Sequence, residues 1–217
     1  DAQVVEADLA KQGACEQLAK QVGEVDILVN NAGIQFVSPI QDFPEDKWNA
    51  IIAINLSSAF HTIKGCVGGM RQKGWGRIIN IASIVAISPE TLNGVYGASK
   101  AFVLAFSQSL QHELTDKGVR VQAVLPGATA TDFWAIGGLP VENLDASIVM
   151  SAEDLVDDAG REVVRDHHLL EHTPHHQSHA RYRIVVVKFF LFMKLVQHIL
   201  RALYRPSYQL RVEHHIQ

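Results

Sequence analysis

Hydrophobic and polar positions alternate between two patterns along this chain. Residues 3–7 (QVVEA) read as a short strand ending at Asp8, and residues 9–22 (LAKQGACEQLAKQV) read as a helix. Residues 25–30 (VDILVN) form an apolar strand that runs into 30-NNAG-33. A long helical region follows from about Pro44 to Met70, with Pro44 suited to a first turn. The stretch 77-RIINIAS-83 is a continuous apolar strand of the kind buried on both faces. Residues 94–116 predict a helix that stops near Gly118, and 119-VRVQAVLP-126 predicts a further strand closed by Pro126-Gly127. Strands alternating with helices mark an α/β domain with a parallel sheet. Such sheets bind ligands at the carboxyl ends of their strands. Asp8, Asn30 to Gly33, Ser83 and Pro126-Gly127 stand at four such ends.

Composition narrows the function. With 217 residues, 47% of them hydrophobic, the chain can bury one real core. The net charge is −4 and the first 150 residues carry no basic patch, so nucleic acid is not the expected partner. Cys15 and Cys66 form no C-x-x-C pair and read as reduced thiols, which suits a cytoplasmic protein. The chain opens without a signal peptide, on what looks like the middle of a domain.

One pair of residues carries candidate chemistry. In 94-GVYGASKAFVLAF-106, Tyr96 and Lys100 are four apart and share a helix face. Gly97, Ala98 and Ser99 between them are small, so a ligand can come close. An ammonium beside a phenol favours the phenolate, so the expectation is a Tyr96 pKa lowered toward neutrality. A phenol tuned in that way exchanges protons with an alcohol or carbonyl oxygen. Alone, the spacing is equally that of an amphipathic helix whose Tyr and Lys flank a core stripe.

Together, Asp8, Asn30-Asn31-Ala32-Gly33, Asn55, Ser83, Tyr96-x-x-x-Lys100 and Pro126-Gly127 resemble the short-chain dehydrogenase/reductase pattern over residues 1–150. Their order fits, as do the thirteen residues from Ser83 to Tyr96. The resemblance implies a Rossmann-like, doubly wound parallel sheet and an NAD- or NADP-dependent interconversion of a secondary alcohol and a ketone. It implies Tyr96 as general acid/base, Lys100 as its partner and ribose holder, and Ser83 as hydrogen-bond partner of the reacting oxygen. Asn55 would hold a water that relays protons from Lys100. Asp8, Leu9, Asn31, Ala32 and Gly33 would line the adenosine side, and Pro126, Gly127, Thr129 and Thr131 the nicotinamide or pyrophosphate side. A homodimer or homotetramer is expected, built on the helices after Asn55 and carrying Tyr96.

The first half, with 30-NNAGIQ-35, 43-FPEDKWNAIIAINLSSAFH-61 and 74-GWGRIINIAS-83, is similar to bacterial D-3-hydroxybutyrate dehydrogenases. The resemblance implies Gln35 as a substrate-carboxylate contact. The His and Lys that share this task in that subfamily are here Val85 and Asn93. The run from Val95 to Phe133 looks more like another branch of the family. Residues 128–150 are expected to cover the substrate, with Phe133 and Trp134 as apolar walls.

Two features depart from the family. Its glycine-rich phosphate loop, T-G-x-x-x-G-x-G, is not found upstream of Asp8; 65-GCVGGM-70 and 137-GGLP-140 do not follow a strand and open a helix. The sheet is thus expected to be incomplete at its N-terminus, with an open strand edge. A non-catalytic remnant that only associates with other subunits is the rival reading. After about Asp157 the pattern stops, dividing the chain into 1–157 and 158–217. Nine of eleven histidines lie between His167 and His215, and 184-IVVVKFFLFMKLVQHIL-200 is apolar apart from Lys188, Lys194, Gln197 and His198. Pro174 interrupts the histidine spacing and no carboxylate or thiol cluster joins it, so no metal site is assigned. Two lysines make a span costly, which leaves an interfacial helix as the membrane reading. The preferred reading is a frameshifted or foreign segment.

Overall fold

A computed structural model describes residues 4–131, 133–136, 141–155, 157, 183–187 and 209–213. Helix α1 (Ala14–Val22) leads to strand β1 (Ile27–Asn30). Helix α2 (Glu45–Ile51) continues through a π-helical turn, Ile52–Ser57, into α3 (Ser58–Lys73). Strand β2 (Gly76–Ile81), helix α4 (Gly94–Leu114) and strand β3 (Val119–Val124) complete the regular part. Beyond it lie β4 (Ala128–Thr129), the short α5 (Phe133–Ile136) and β5 (Val149–Met150). Two more strands, β6 (Arg183–Val187) and β7 (Gln209–Glu213), come from the C-terminal segment.

The main sheet has the order β3-β2-β1-β6-β7, and every pairing is parallel. The α/β architecture with a parallel sheet is therefore present. All four residues of β1 are buried, which explains why its sequence is uninterrupted apolar until Asn30. Leu28 and Ile78 pack with Leu18, Val22, Ile63, Met70, Leu114 and Val119 in one core under α1, α3 and α4. Ala19 of α1 lies against Gly65 of α3, where a side chain on Gly65 would collide. Gly118 ends the turn after α4 with φ 73°, and a Cβ there would strike the Gly74 carbonyl, so this helix stop requires glycine twice over. The continuous run Glu45–Lys73 is apolar enough by composition to cross a membrane, but 44% of its most apolar window is buried inside the fold. Cys15 and Cys66 are free and buried.

Three expectations change. Residues 4–8 form no strand, because no neighbouring strand pairs with them, and the helix begins at Ala14 rather than residue 9. The edge of β1 is not open: Ile27 to Asn30 pair with Ile184 to Val187. Residues 184–187 of the apolar run are thus strand, not interfacial helix, since their backbone satisfies the hydrogen-bonding groups that β1 presents. The histidine cluster at 167–179 and the remainder of the apolar run lie outside the described residues.

The chain adds strands outward from β1 to β3, then returns to place β6 on the other side of β1. Strand order reverses between β1 and β6. The crevice at such a reversal is where open α/β sheets hold ligands.

Candidate active site

Loops at the carboxyl ends of β1, β2 and β3 and the first turns of α4 enclose a cavity of about 350 Å³. Its lining includes Asn31, Gly33, Gln35, Ser83, Tyr96, Lys100, Pro126, Gly127, Thr129, Thr131 and Phe133. The structure thus gathers eleven of the predicted site residues from five chain segments. It leaves two away from the cavity. Asp8 caps a turn, accepting from the Ala10 N–H at 3.1 Å and pairing with Lys11, while Leu9 is buried in the core. Ala32 and Asn55 line a second cavity of about 10 Å³, directly behind Lys100.

Tyr96 and Lys100 lie one turn apart on α4 and are 8% and 4% exposed. Lys100 reaches back to the sheet and its Nζ donates to the Ile81 carbonyl at 2.9 Å. The same Nζ is 5.7 Å from the Tyr96 ring centroid. Ser83 sits two residues beyond β2; its hydroxyl donates to the Pro126 carbonyl at 3.5 Å and is near enough to Tyr96 to favour the phenolate. Gly33 leaves room above the lysine: a Cβ there would stand 3.2 Å from Lys100 Nζ.

Asn55 explains the π-helical turn. Its Oδ1 accepts from the Ile34 N–H at 2.9 Å, and its Nδ2 donates to the Ile34 carbonyl at 3.0 Å and to Ser99 Oγ at 2.9 Å. Ser99 in turn donates to the Tyr96 carbonyl at 2.7 Å. One carboxamide therefore ties the loop after β1 to the helix that carries Tyr96. The widened turn, a form common at functional sites, presents it.

The electrostatics differ from the expectation. Burial pushes the Tyr96 phenol up to about 12; the Ser83 hydroxyl opposes this and the Glu90 carboxylate adds to it. Burial also brings Lys100 down to about 8. The expected lowering of Tyr96 does not occur because the dry site penalises the phenolate more than the Ser83 hydroxyl favours it. At neutral pH this site holds a protonated phenol beside a mostly charged lysine.

Sequence reasoning missed the support beneath. Asn30 Nδ2 donates to Asn80 Oδ1 at 2.8 Å, Thr62 Oγ1 donates to Asn30 Oδ1 at 2.7 Å, and Asn80 Nδ2 donates to Ser107 Oγ at 2.9 Å. This chain crosses from α3 to α4 through both central strands. The signal was available: a lone asparagine inside the buried strand 77-RIINIAS-83 needs partners. Glu90 and the apolar Leu155 of the cavity wall were not foreseen, whereas Leu144 and Ile148 fall in the 128–150 stretch expected to cover the substrate. Phe133 stands 5.9 Å from the Tyr96 ring, and Trp134 is pinned by its Nε1–H to the Thr129 carbonyl at 3.0 Å.

Comparison with known proteins agrees with this arrangement. The short chain dehydrogenase family model matches residues 1–136. A D-beta-hydroxybutyrate dehydrogenase of Rhizobium meliloti (strain 1021) is 46% identical over 114 residues, covering 52% of this chain and 44% of that protein. One from Cupriavidus necator is 38% identical over 159 residues, covering 68% of this chain and 62% of the relative. The chain thus spans about half the length of these curated relatives. Among solved structures, a short-chain dehydrogenase from Sphingobium yanoikuyae in complex with NADPH superposes with a TM-score of 0.66 at 31% identity, covering 82% of this chain and 78% of that one. Matched over more than half its length and folded like its solved relatives, this chain belongs to the short chain dehydrogenase family.

Proposed function

We propose that this site interconverts a secondary alcohol and a ketone with NAD or NADP as the dinucleotide partner. The observation that carries the reading is the convergence of Ser83, Tyr96 and Lys100 at one end of a 350 Å³ cavity. The dinucleotide supplies the hydride acceptor or donor when bound. Gly33 lies beside Lys100 rather than on the adenosine side alone, and its missing Cβ, which would stand 3.2 Å from Lys100 Nζ, lets a nicotinamide ribose come close to the lysine. Pro126, Gly127, Thr129 and Thr131 would hold that half of the molecule, and Asn31 the adenosine side. Among the described residues no glycine-rich turn joins a strand to a helix, so nothing described cradles the pyrophosphate.

The chain's own groups do the proton chemistry. The Tyr96 phenol, protonated at neutral pH, gives its proton to a carbonyl oxygen on reduction, and its phenolate takes the alcohol proton on oxidation. Ser83 holds the same oxygen. Lys100 keeps a positive charge under the phenol and favours the phenolate as it forms. The 10 Å³ cavity between Asn55 and Lys100 is the size of about one water and would pass the proton on. Within this class, likeness to the hydroxybutyrate enzymes and Gln35 in the cavity wall speak for a 3-hydroxybutyrate-type hydroxy acid, while the apolar Val85 and the neutral Asn93 speak against its carboxylate. The exposed faces of Phe60 and Phe102 on α3 and α4 would join copies of the chain into a homo-oligomer. The two buried free thiols accord with a cytoplasmic location.

The test is titration of the purified chain with NADH and NADPH by nicotinamide fluorescence, followed by ketone reduction. Saturable binding with turnover, and a Tyr96→Phe variant that binds but turns over at least about 100-fold slower, is the expected result. A folded chain that binds neither dinucleotide is the non-catalytic remnant.

A further inference from the structure

The cavity has a polar corner that the proton chemistry does not use. Glu90 and Asn93 both line it, just ahead of α4. Asn93 Nδ2 donates to Glu90 Oε2 at 3.4 Å. Asn93 is only 6% exposed and occupies the helix N-cap position, yet its side chain makes no cap hydrogen bond. Its Oδ1 is buried and has no partner among the described residues. An unpaired buried acceptor is costly, so a residue of this kind needs an explanation. The backbone here is held in place: Leu92 has φ 61°, unusual for a leucine, and its carbonyl accepts from the Ser38 N–H at 3.2 Å.

The charge balance of the wall points the same way. Among the described lining residues the charged groups are Glu90 and Lys100. The lysine lies at the Tyr96 end, donating to the Ile81 carbonyl. Of the residues beside them, Val85 is apolar and Asn93 is neutral. An incoming carboxylate therefore finds neutral amides, Asn31, Gln35 and Asn93, but no free cation among the described residues, and a like charge in Glu90. A donor finds a carboxylate already oriented by Asn93.

We propose, building on the alcohol/ketone reading, that Glu90, positioned by Asn93, selects substrates whose second functional group is a hydrogen-bond donor, a hydroxyl or an ammonium, and that carboxylates of the hydroxybutyrate type are poor ligands. Specificity of this kind is a difference between a satisfied carboxylate and a repelled one.

Four matched methyl ketones test it in the full chain: 2-butanone, 4-hydroxy-2-butanone, 4-amino-2-butanone and acetoacetate. Binding is read by ligand-observed NMR, which needs no dinucleotide. The hydroxyl and ammonium ketones should bind at least about fivefold tighter than acetoacetate and tighter than 2-butanone. Glu90→Gln should abolish the ammonium preference, and Asn93→Lys should turn the order toward acetoacetate. Circular dichroism confirms that both variants fold. Acetoacetate binding as tightly as the hydroxyl ketone overturns the inference, as does an order unmoved by Glu90→Gln. If 2-butanone binds and the donor-bearing ketones gain nothing over it, the inference falls while the alcohol/ketone reading stands. If none of the four binds, the inference falls, and the alcohol/ketone reading is decided by the dinucleotide titration.

Discussion

At the residue scale, the pair that first marked this chain behaves as buried groups do. Lys100 costs stability when charged, because its ordinary pKa of about 10.4 falls to about 8 in the fold. Between those values the unfolded chain binds the proton and the folded chain does not, so stability should rise from pH 8 to 10. Tyr96 acts in the opposite sense and later. Its phenol ionises near 10 when unfolded but near 12 when folded, so stability should fall above pH 10. A stability maximum near pH 10 is the expected outcome. Lys100→Met should flatten the rise and stabilise the chain at pH 7 by about 1–3 kcal/mol, while abolishing turnover. Urea unfolding at pH 7, 8, 9 and 10 checks both claims. A wild-type curve flat across that range would contradict them. That Tyr96, Lys100 and Ser83 come together was legible because their spacing and strand-end positions are sequence properties. The direction of the Tyr96 shift was not, since it depends on how dry the site is, and no sequence pattern states burial of a phenol in a cavity wall.

At the element scale, β1, β2, β3 and α4 could be read from the chain because each buries a continuous apolar run or stripe. The π-helical turn at Ile52–Ser57 could not. Its residues, IAINLS, look like ordinary buried helix, and only the bonds from Asn55 to Ile34 and Ser99 show why the turn widens. The asparagine layer under the site has the same character. Asn80 is fully buried and joins Asn30 to Ser107. Asn80→Ala should leave the Asn30 amide and the Ser107 hydroxyl without it, costing about 2–4 kcal/mol. Ser107→Ala removes one bond and should cost about 1–2 kcal/mol. Denaturation midpoints of both variants measure this difference. Equal and small losses would mean that the layer is not a connected network. The opening segment was misread for a related reason: Val4 and Val5 suit a strand, but a strand exists only where another one pairs with it.

At the scale of the whole molecule, the sheet is closed by residues the sequence set apart. The segment after Asp157 breaks the family's pattern and is expected as a frameshifted or foreign segment, with no strand foreseen in its apolar run. Backbone pairing decides otherwise, because β1 presents a row of N–H and C=O groups on the side away from β2, and β6 meets them in register. Val185 lies in the middle of this arrangement, opposite Leu28 on one side and Arg211 on the other. Val185→Pro takes an N–H out of an inner strand and adds a ring where the chain must stay extended. A loss of about 3 kcal/mol or more is expected. Val185→Thr, which keeps the β-branched shape and the backbone donor, should cost far less. If β6 shields β1, the proline variant should also self-associate as concentration rises, because an uncovered strand edge pairs with other chains. Thermal unfolding and analytical ultracentrifugation of the two variants separate these effects. Proline and threonine variants with the same melting temperature and the same sedimentation would mean that β6 carries no part of the sheet's stability, and that β1 is protected by another part of the chain.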